Sequence, residues 1–509
     1  MKLGIIDIGS NSIRLVILDI QGTSYRITDQ IKHSARLGQD MSADGYLDQK
    51  RMDYAIQVLA HFAITMHTKG VREVLCVATE AVRRAKNQNQ FLSRARKALG
   101  TEVRILSGLE EAHYDYLGCV NTLDIKHALA FDIGGSSTEL ILIRNRLLVE
   151  SVSLRLGSIP LMEMFDLSAK ATDQQIERLK VFLIDQFKML PWLSQAKGLP
   201  LIGIGGSVRT TGKIDRLRKS QGEFIAHNYS LDRNDLHEIA SLVVNWKNHS
   251  GQRPRGLPRD RDDIYTGSLI LIETLADYLG SEKLFVSGAG VRDGILFEYL
   301  LGNRKFVPDV LEFSLRNIIQ NHMSEDYDGE DLWQITEPLF DQLSSLEPEI
   351  RHMKKVMKTT TFLHDIGKNI NFFQRDRNTF YSILNAPIHG LSQKQILLAA
   401  CSATSGSSDD ILKEYLGKRL LTQRDIRVIL KLGLILKLAK AISYASASNP
   451  APLEMNLTKS KLEIYLPDQI TIQFAREDFS FHSHEFRSSF GVALDFFQKK
   501  NPLPKNAGH

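Results

Sequence analysis

Hydrophobic positions in the first part of the chain follow a strand pattern and then a helical one. The apolar run at residues 2–8 ends in a Gly-Ser-Asn-Ser turn, and a second apolar run follows at 13–20. From residue 48 to 67 the apolar residues recur every three or four positions, as on one face of a helix. A buried-strand pattern comes next, at 71–78. This order predicts a β-meander followed by alternating helices and strands.

The same pattern begins again near residue 127. The apolar run at 127–133 ends in Asp-Ile-Gly-Gly-Ser-Ser-Thr, just as the run at 2–8 ends in Asp-Ile-Gly-Ser-Asn-Ser. The elements that follow are predicted as strands at 139–143, 147–154, 199–206 and 283–287 and as helices at 173–189 and 266–279. Two α/β halves that face one another are the simplest explanation of this repetition.

Beyond residue 302 the pattern becomes mainly helical. Alternating apolar residues then predict strands at 457–466 and 469–474, and a last helix is predicted at 486–499. We therefore divide the chain into two α/β lobes at 1–122 and 123–302, a helical domain at 303–450, and a small α+β domain at 451–509 that ends in a basic tail.

Composition narrows the class of protein. Of 509 residues, 43% are hydrophobic and 24% charged, and 64 Lys and Arg against 59 Asp and Glu leave a net charge of +5. This excess is too small to indicate a nucleic-acid partner, although local basic clusters could bind another polyanion. Three cysteines do not make a disulfide framework, and no apolar run is long enough to span a bilayer. We expect a cytoplasmic protein with reduced thiols.

The two Gly- and Ser-rich turns are the first candidates for chemistry. Glycines let backbone N–H groups converge on an anion, Ser and Thr add hydroxyl donors, and the Asp that ends each strand can hold a hydrated cation. Either turn alone is also typical of an ordinary hairpin, but matching turns in two α/β halves favour a shared phosphate site. Its predicted residues are Gly9, Ser10, Asn11, Ser12, Gly134, Gly135, Ser136, Ser137 and Thr138.

Seven short motifs follow one another along roughly the first 300 residues. They are DIGSNSIRL at 7–15, ATEAVRRAKN at 78–87, LSGLEEA at 106–112, FDIGGSSTEL at 131–140, LGSIPL at 156–161, GIGGSVR at 203–209 and SGAGVRDG at 287–294. Over these blocks the sequence resembles the exopolyphosphatase and guanosine pentaphosphate phosphohydrolase family. The resemblance implies an α/β fold of two actin-like lobes around a phosphate cleft, of the ribonuclease H-like type that actin, sugar kinases and heat-shock chaperone ATPases share.

The family's reaction, hydrolysis of a terminal phosphoanhydride, implies roles for particular residues. A phosphoryl group in transfer spreads negative charge over its oxygens, so the site needs N–H donors, cations and a carboxylate that orients water. By resemblance, Glu111 activates the water and Arg83 binds phosphate. Asp132 and Glu139 match the carboxylates associated with Mg²⁺, and Asp7 is a third acidic group across the cleft. Mg²⁺ is therefore the expected cofactor.

A third glycine turn completes the implied phosphate site, and three positions depart from the family pattern. The turn contributes Gly205, Gly206, Ser207 and Arg209, with a purely structural strand-to-helix turn as the alternative. Ser136 stands where a third glycine is more usual, Glu80 stands where a small hydroxyl residue is common, and Ser207 replaces a common Thr. These departures bear on the choice of substrate more than on the type of reaction.

Basic clusters indicate where a long polyanion could run. The candidate track residues are Lys213, Arg216, Arg253, Arg255, Arg259 and Arg261. A solvated charged face is the ordinary interpretation of any one cluster. A polyphosphate chain, however, carries one charge per unit and needs a succession of cations along its path. The last four of these residues belong to a loop rich in Pro and Gly that could line a channel.

The helical domain carries His364-Asp365, which resembles the HD signature of metal-dependent phosphohydrolases. An active HD site needs further His and Asp ligands from other helices. The later motif positions read Arg377-Asn378-Thr379 and Ala400-Cys401-Ser402, without histidine. We therefore favour a metal-free HD-like domain that extends a polymer-binding surface or a dimer interface.

Taken with the resemblance, these features predict an exopolyphosphatase that removes orthophosphate processively from the ends of inorganic polyphosphate. One alternative is a phosphohydrolase that converts guanosine pentaphosphate to the tetraphosphate. Another is a non-enzymatic sensor whose cleft only binds polyphosphate or a guanosine alarmone. A small-molecule kinase of the same superfamily is disfavoured by the Glu111 motif. The resemblance also implies a homodimer.

Overall fold

The computed structural model describes residues 1–39, 41, 44–219, 225–248, 251–323, 327–404, 420–445 and 453–499. The chain divides into two units, Met1–Phe313 and Ser314–His509. Residues 500–509 of the predicted basic tail lie outside the described residues. Within the described ranges, no helix combines the length and the apolar character needed to cross a membrane.

The first unit contains two sheets built on the same plan. The first sheet has the order β3-β2-β1-β4-β5, and the second has the order β10-β11-β9-β6-β7-β8. Their strands are β1 (Lys2–Ile8), β2 (Ile13–Gln21), β3 (Ser24–His33), β4 (Glu73–Ala78), β5 (Arg104–Ile105), β6 (Ala128–Ile133), β7 (Thr138–Arg144), β8 (Leu147–Leu154), β9 (Leu201–Ile204), β10 (Tyr229–Asp232) and β11 (Lys283–Val286). In each sheet an antiparallel three-stranded meander is continued by two parallel strands. The second sheet has one more strand, β10, which pairs antiparallel to β11 at its edge. This repeated plan confirms the prediction of two similar α/β halves.

Helices cover both sheets of the first unit. They are α1 (Gln49–Thr68), α2 (Glu80–Arg84), α3 (Gln88–Leu99), α4 (Gly108–Val120), α5 (Ser158–Phe165), α6 (Asp173–Lys188), α7 (Gly205–Arg218), α8 (Arg233–Asn248), α9 (Tyr265–Leu279) and α10 (Val291–Leu301), with 3-10 turns at Pro191–Ala196 and Arg259–Arg261. Strand residues alternate between faces, so Ile6 and Ile8 of β1 join the core with α1 and α3. Leu3 and Ile5 join a core that also holds α4, α10 and residues of β6 and β7. Helices α4 and α10 therefore pack against both sheets.

The crossing of α4 and α10 is unusually close because two glycines allow it. A Cβ atom on Gly118 of α4 would lie 2.8 Å from the carbonyl oxygen of Gly290, and a Cβ atom on Gly294 of α10 would overlap the carbonyl group of Tyr114. Backbone therefore packs on backbone at this crossing. The contact fixes the helix that carries Glu111 against the loop that follows β11.

The second unit combines helices with a three-stranded sheet. From residue 310 the helices are α11 (Val310–His322), which begins in the first unit, α12 (Gly329–Leu346), α13 (Lys354–Phe362), α14 (Arg375–Asn385), α15 (Gln393–Ala403), α16 (Gln423–Ala445), α17 (Gln469–Phe479) and α18 (Ser483–Phe490), with 3-10 turns at Ile366–Asn369, Phe372–Gln374 and Ser480–His482. The strands are β12 (Glu454–Leu457), β13 (Lys461–Leu466) and β14 (Ala493–Gln498). Strand β13 is central, antiparallel to β12 and parallel to β14.

The predicted strand at 469–474 is wrong, because this segment opens helix α17. The Asp468 carboxylate accepts a hydrogen bond from the Thr471 N–H at 2.8 Å and caps the helix. The alternation of Ile470, Ile472 and Phe474 suggested a strand, yet only Ile472 of the three is buried. The buried residues of α17 follow helical spacing instead.

The predicted helix at 486–499 is wrong over its second half. Helix α18 ends at Phe490, and Gly491 follows it in the left-handed conformation, with φ of +72°. Residues Ala493–Gln498 then form β14, which pairs along the whole of β13. The helix stops because a left-handed glycine ends it. The strand then gains a partner that lies some thirty positions earlier in the chain, which local periodicity does not reveal.

Candidate active site

The two predicted Gly- and Ser-rich turns meet at the ends of β1 and β6. In each turn the first glycine donates its N–H to a serine carbonyl three residues on, at 3.1 Å in the first turn and 2.9 Å in the second. Across the gap, the Ser136 hydroxyl donates to the Ser10 hydroxyl at 3.3 Å. The turns line a common cavity of about 170 Å³. The predicted residues in its lining are Gly9, Ser10, Asn11, Ser12, Gly134, Gly135, Ser136 and Ser137.

The third glycine turn reaches the same cavity, where β9 passes directly into α7. Gly205 has φ of +88°, and a Cβ atom there would overlap the Asp132 carboxylate. A Cβ atom on Gly206 would overlap the guanidinium group of Arg261. Both glycines and Arg209 line the cavity. The N–H groups of the first turn of α7 have no helical partner, so they are donors for an anion.

Two residues predicted to bind phosphate support the turns from behind. The Thr138 hydroxyl donates to the Leu156 carbonyl at 2.5 Å, and its side chain is buried in β7. Ser207 is buried in α7, where its carbonyl accepts from the Thr211 hydroxyl. Neither residue lines the cavity.

Glu111 lies in the first turn of α4 and points into the cavity. The neighbouring Glu110 completes a capping box, because its carboxylate accepts from the Ser107 N–H at 2.7 Å and the Ser107 hydroxyl accepts from the Glu110 N–H. Burial raises the pKa of Glu111, the ion pair with Arg83 opposes that rise, and the result is a pKa of about 7. Glu111 is therefore poised to exchange a proton near neutral pH.

Arg83 does not line the cavity, because two carboxylates and a carbonyl hold its guanidinium group behind Glu111. Its Nη1 donates to Glu111 Oε2 at 2.7 Å and also to the Leu106 carbonyl. Its Nη2 donates to the Glu80 carboxylate, and Glu80 itself lines the cavity. The arginine predicted to bind phosphate thus pairs with the residue predicted to activate water.

The carboxylates predicted to hold Mg²⁺ lie close to the turns. Asp7 and Asp132 line the cavity, and Glu139 lies buried beside it with its Oε1 accepting from the Ser153 hydroxyl at 2.7 Å. Burial raises the pKa of all three, that of Asp132 to about 6. Asp132 Oδ1 is buried without a hydrogen-bond partner.

These oxygens suit Mg²⁺, which usually keeps several waters and takes only one or two carboxylates together with phosphate oxygens. Over the described ranges, no three His, Cys, Asp or Glu side chains converge on one metal position. A closed protein cage is not needed for this ion. The unpartnered Asp132 oxygen and the adjacent Asp7 are the groups that fit it best.

Asp115 is a further buried carboxylate that the motifs did not single out. It lies one helical turn after Glu111 on α4 and is only 1% exposed, and neither of its oxygens has a hydrogen-bond partner. Burial raises its pKa, and the charges of Asp132, Glu139 and Glu111 raise it further. The spacing of four residues could have revealed it, because residues i and i+4 share one face of a helix.

A basic groove of about 360 Å³ opens from the same cavity. Its described lining has six cationic side chains and no carboxylate: Arg14, Lys32, Arg209, Lys213, Arg261 and Arg292. Burial lowers the pKa of Lys32, as do the charges of Arg14 and Arg261. Burial and its arginine neighbours likewise lower the pKa of Arg209 to about 10. Cations packed together in this way favour a polyvalent anion.

Of the six residues predicted as a polymer track, only Lys213 and Arg261 line this groove. Arg253 forms an ion pair with Asp262, with Nη2 and Oδ1 2.6 Å apart. Arg255 and Arg259 are exposed outside the groove, and Arg216 is half-buried in α7. The sequence clusters missed Arg14, Lys32 and Arg292, because these residues come from three separate elements.

In the second unit, His364 and Asp365 lie in a buried charge network. Lys368 and Lys440 both pair with the Asp365 carboxylate, Lys440 Nζ at 3.2 Å from Oδ1. His364 Nδ1 lies 2.8 Å from the Thr361 carbonyl oxygen, and burial lowers the pKa of His364 to about 4. Burial alone would raise the pKa of Asp365, but His364 and the two lysines lower it to about 2. The likeness of this segment to an HD domain and the absence of a metal there both stay predictions.

The chain belongs to the Ppx/GppA phosphatase family, because the model of that family matches residues 16–303. That span includes Glu111, the second and third glycine turns, and the loop after β11. Membership makes the protein an enzyme that hydrolyses phosphoanhydrides, as the seven motifs predicted.

Curated relatives share about a quarter of their sequence with this chain. The bifunctional 3-dehydroquinate synthase/phosphatase of Fusobacterium nucleatum is 26% identical over 303 residues, which is 55% of this chain and 44% of that protein. The guanosine-5'-triphosphate,3'-diphosphate pyrophosphatase of Vibrio vulnificus is 26% identical over 84% of this chain and 86% of its own. Its counterpart in Vibrio campbellii is 26% identical over 77% of each chain. The chain thus spans less than half of the Fusobacterium protein but most of the two Vibrio proteins.

Solved structures agree on the fold of about three-fifths of the chain. The Ppx/GppA family member from Aquifex aeolicus is 27% identical, with a TM-score of 0.53, and covers 60% of this chain and 99% of its own. An exopolyphosphatase from Cytophaga hutchinsonii covers 60% of this chain and 100% of its own, with a TM-score of 0.55 and 22% identity. These likenesses confirm the predicted two-lobed, actin-like α/β fold.

Proposed function

We propose that this protein is an exopolyphosphatase, which hydrolyses the terminal phosphoanhydride bond of inorganic polyphosphate and releases orthophosphate. The observation that carries the proposal is the basic groove beside the catalytic cavity. The described lining offers its six cations no carboxylate to pair with. Four of the cations also line the cavity: Arg14, Arg209, Arg261 and Arg292. A chain of phosphates whose end lies in the cavity would have a continuous run of cations for its next units.

The reaction follows from the groups around the cavity. The terminal phosphate accepts hydrogen bonds from the glycine turns, and Glu111 takes a proton from the water that attacks phosphorus. The bond from phosphorus to the bridging oxygen breaks, and the shortened chain leaves with the electron pair while the arginines stabilise its charge. Mg²⁺, held by Asp132 and Asp7 with Glu139 beside them, would neutralise phosphate oxygens. Glu111 must be ionised to act, so activity should rise with pH through about 7.

Hydrolysis of guanosine pentaphosphate to the tetraphosphate is the second candidate. Two relatives that align over most of this chain are named guanosine-5'-triphosphate,3'-diphosphate pyrophosphatase. A second cavity of about 450 Å³ adjoins the catalytic one, and its lining mixes apolar Ile159 and Met162 with the carboxylates of Glu163 and Asp263. A nucleoside, with its flat apolar base and polar edges, suits such a lining better than a bare phosphate chain does.

Orthophosphate release from long-chain polyphosphate and from guanosine pentaphosphate, at matched concentrations of phosphoanhydride ends and with and without Mg²⁺, separates the two candidates. Preference for the polymer, without products of intermediate length, supports a processive exopolyphosphatase. Preference for the nucleotide moves the assignment to the second candidate. Release from neither substrate contradicts both and leaves the non-enzymatic sensor. The predicted homodimer can be tested on the same sample by light scattering.

A further inference from the structure

The guanidinium group of Arg83 is already hydrogen-bonded to protein acceptors. Three of its contacts are to protein acceptors: the carboxylates of Glu80 and Glu111 and the Leu106 carbonyl. The side chain is 21% exposed and lies outside the lining of the catalytic cavity. The guanidinium group bridges two different carboxylates, one through each terminal nitrogen, and this fixes its position.

Glu80 binds the second terminal nitrogen of the Arg83 guanidinium group, and Glu111 binds the first. Its side chain is 9% exposed and lines the catalytic cavity, and its Oε1 is 3.6 Å from Nε of Arg84. Glu80 and Arg83 are three residues apart on the short helix α2, so they share one face of it. Glu111 comes from a different helix, α4. The ion pair of Arg83 with Glu80 therefore sets where Arg83 meets Glu111.

We propose that Glu80 is a positioning residue that holds Arg83 against Glu111 and so keeps the catalytic carboxylate oriented and ionised. The inference rests on the proposed function, in which Glu111 activates water. In this arrangement Arg83 supports the catalytic carboxylate through their ion pair. The basic groove supplies further cations for phosphate.

The electrostatic surroundings of Glu111 give Arg83 this importance. The charged groups that act on Glu111 from the neighbouring elements are Asp7 of β1, Asp132 of β6, Glu139 of β7, Asp115 of α4 itself and Arg83 of α2. Arg83 is the cation that forms an ion pair with Glu111. If Glu80 is removed and Arg83 turns away, Glu111 keeps four acidic neighbours and loses its ion pair. Its pKa must then rise.

The pKa of Glu111 should not rise if Glu80 only competes with Glu111 for Arg83. In that case, removing Glu80 leaves the whole guanidinium charge to Glu111, so the pKa of Glu111 stays the same or falls. The sign of the shift therefore distinguishes positioning from competition. A purely structural role for Glu80 would not move the pH profile at all.

The test compares Glu80→Ala and Glu80→Gln with the parent enzyme, using steady-state orthophosphate release from the preferred substrate between pH 5.5 and 9. For Glu80→Ala we expect kcat to fall by about 10- to 100-fold, KM to change by less than about 3-fold, and the acid limb of kcat to move to higher pH. Glu80→Gln keeps an oxygen that can accept from Arg83, so it should retain more activity than Glu80→Ala. Parent-like kcat and an unmoved or lowered acid limb in Glu80→Ala would overturn the proposal.

Glu102→Ala is the matched control, because Glu102 also pairs with an arginine of the same lobe, 2.7 Å from Arg96, but is 72% exposed. It should leave kcat and the pH profile unchanged. Thermal melting by circular dichroism identifies any variant that does not fold, and Glu80→Gln, with the smaller change in volume, then carries the test.

A measurement without turnover separates this inference from the proposed function. With ¹³C-labelled glutamate, the Glu111 carboxyl signal can be assigned by its loss in Glu111→Gln and titrated in the parent and in Glu80→Ala. A higher pKa of Glu111 in Glu80→Ala supports the positioning role even if neither phosphate substrate is hydrolysed. An unchanged or lower pKa overturns it even if the parent is an active exopolyphosphatase.

Discussion

The same tripeptide, Asp-Ile-Gly, occurs in both units, and its aspartate is in opposite electrostatic states in the two. Asp132 of the first unit is buried, one of its oxygens has no hydrogen-bond partner, and burial raises its pKa to about 6. Asp365 of the second unit is also buried, but Lys368 and Lys440 lie against it. These cations and His364 overcome the effect of burial and lower its pKa to about 2.

These two aspartates show two uses of a buried carboxylate. A buried charge without a partner is costly, so a protein keeps one where a proton, a cation or a substrate group will meet it. Asp132 is in that position, at the edge of the phosphate cavity. The charge of Asp365 is already neutralised by the two lysines, which supports the prediction of a structural role. The electrostatic surroundings of the aspartate therefore decide its state, and the tripeptide sequence does not.

The largest expected effect is the loss of activity when the catalytic carboxylate Glu111 of the first unit is removed. Glu111→Gln removes the group that accepts the water's proton, and we expect orthophosphate release to fall by about 10²- to 10⁴-fold. Release can be followed with a phosphate-binding fluorescent reporter at saturating substrate. Glu110→Gln, the neighbouring carboxylate of the capping box, is the control and should retain most activity. Full release by Glu111→Gln would contradict the mechanism.

The next largest expected effect is a loss of stability when Asp365 of the second unit loses one of its cations. Lys440→Ala leaves the buried Asp365 with one cation fewer, and we expect a loss of about 3 kcal/mol in the free energy of unfolding. Urea unfolding followed by circular dichroism measures it. Arg427→Ala on the same helix breaks an exposed ion pair with Glu349 and should change little. Equal stability of the two variants would show that Asp365 does not depend on Lys440.

Opposite pH dependences should follow from the opposite pKa shifts. The pKa of Asp132 is raised from its usual value of 3.8 to about 6. Its contribution to stability is therefore fully present below pH 3.8 and is lost as pH rises through about 6. Asp132→Asn should therefore be more stable than the parent by about 1–3 kcal/mol at pH 8, with a smaller gain at pH 5.

The stability contributed by Asp365 should depend on pH in the opposite direction. Its depressed pKa contributes stability above pH 3.8 that is lost as pH falls through about 2, so Asp365→Asn should destabilise the protein at both pH 5 and pH 8. Urea unfolding at both pH values in the absence of divalent ions measures the two variants together. Equal destabilisation by both substitutions at pH 8 would remove the distinction between the two aspartates.

The smallest effect concerns the basic groove. Arg261→Ala should raise KM for long-chain polyphosphate by about 3- to 10-fold and reduce the salt dependence of kcat/KM, because one phosphate contact is lost. Initial rates between 50 mM and 300 mM KCl measure both. Arg255→Ala is the control, since Arg255 is exposed outside the groove and belongs to the same loop. The groove would lose its proposed role if the two variants had the same KM.

Much of the first unit followed from local sequence pattern. The Asp-Ile-Gly runs, the meanders after them and the helical spacing predicted two similar α/β halves, and both sheets have that plan. Period-two and period-3.6 patterns are reliable where one face of a long element is buried. They failed at residues 469–474, where Asp468 caps a helix. They failed again at Ala493–Gln498, where the strand forms because β13 is there to pair with it.

The residues of the site also fall into two groups, those that the sequence identified and those that only the tertiary structure revealed. Contiguous motifs identified Glu111, Asp132 and the glycine turns, because each lies in one short segment that carries its own chemical signature. Three facts depended on tertiary structure: that Arg83 pairs with Glu80 and Glu111, that Asp115 is buried without a partner, and that Arg14, Lys32 and Arg292 join one groove. Local sequence dictates backbone shape and residue type. Burial and the distance between charges arise only when segments far apart in the chain pack together, and those two quantities fix the pKa values and the partners of the site.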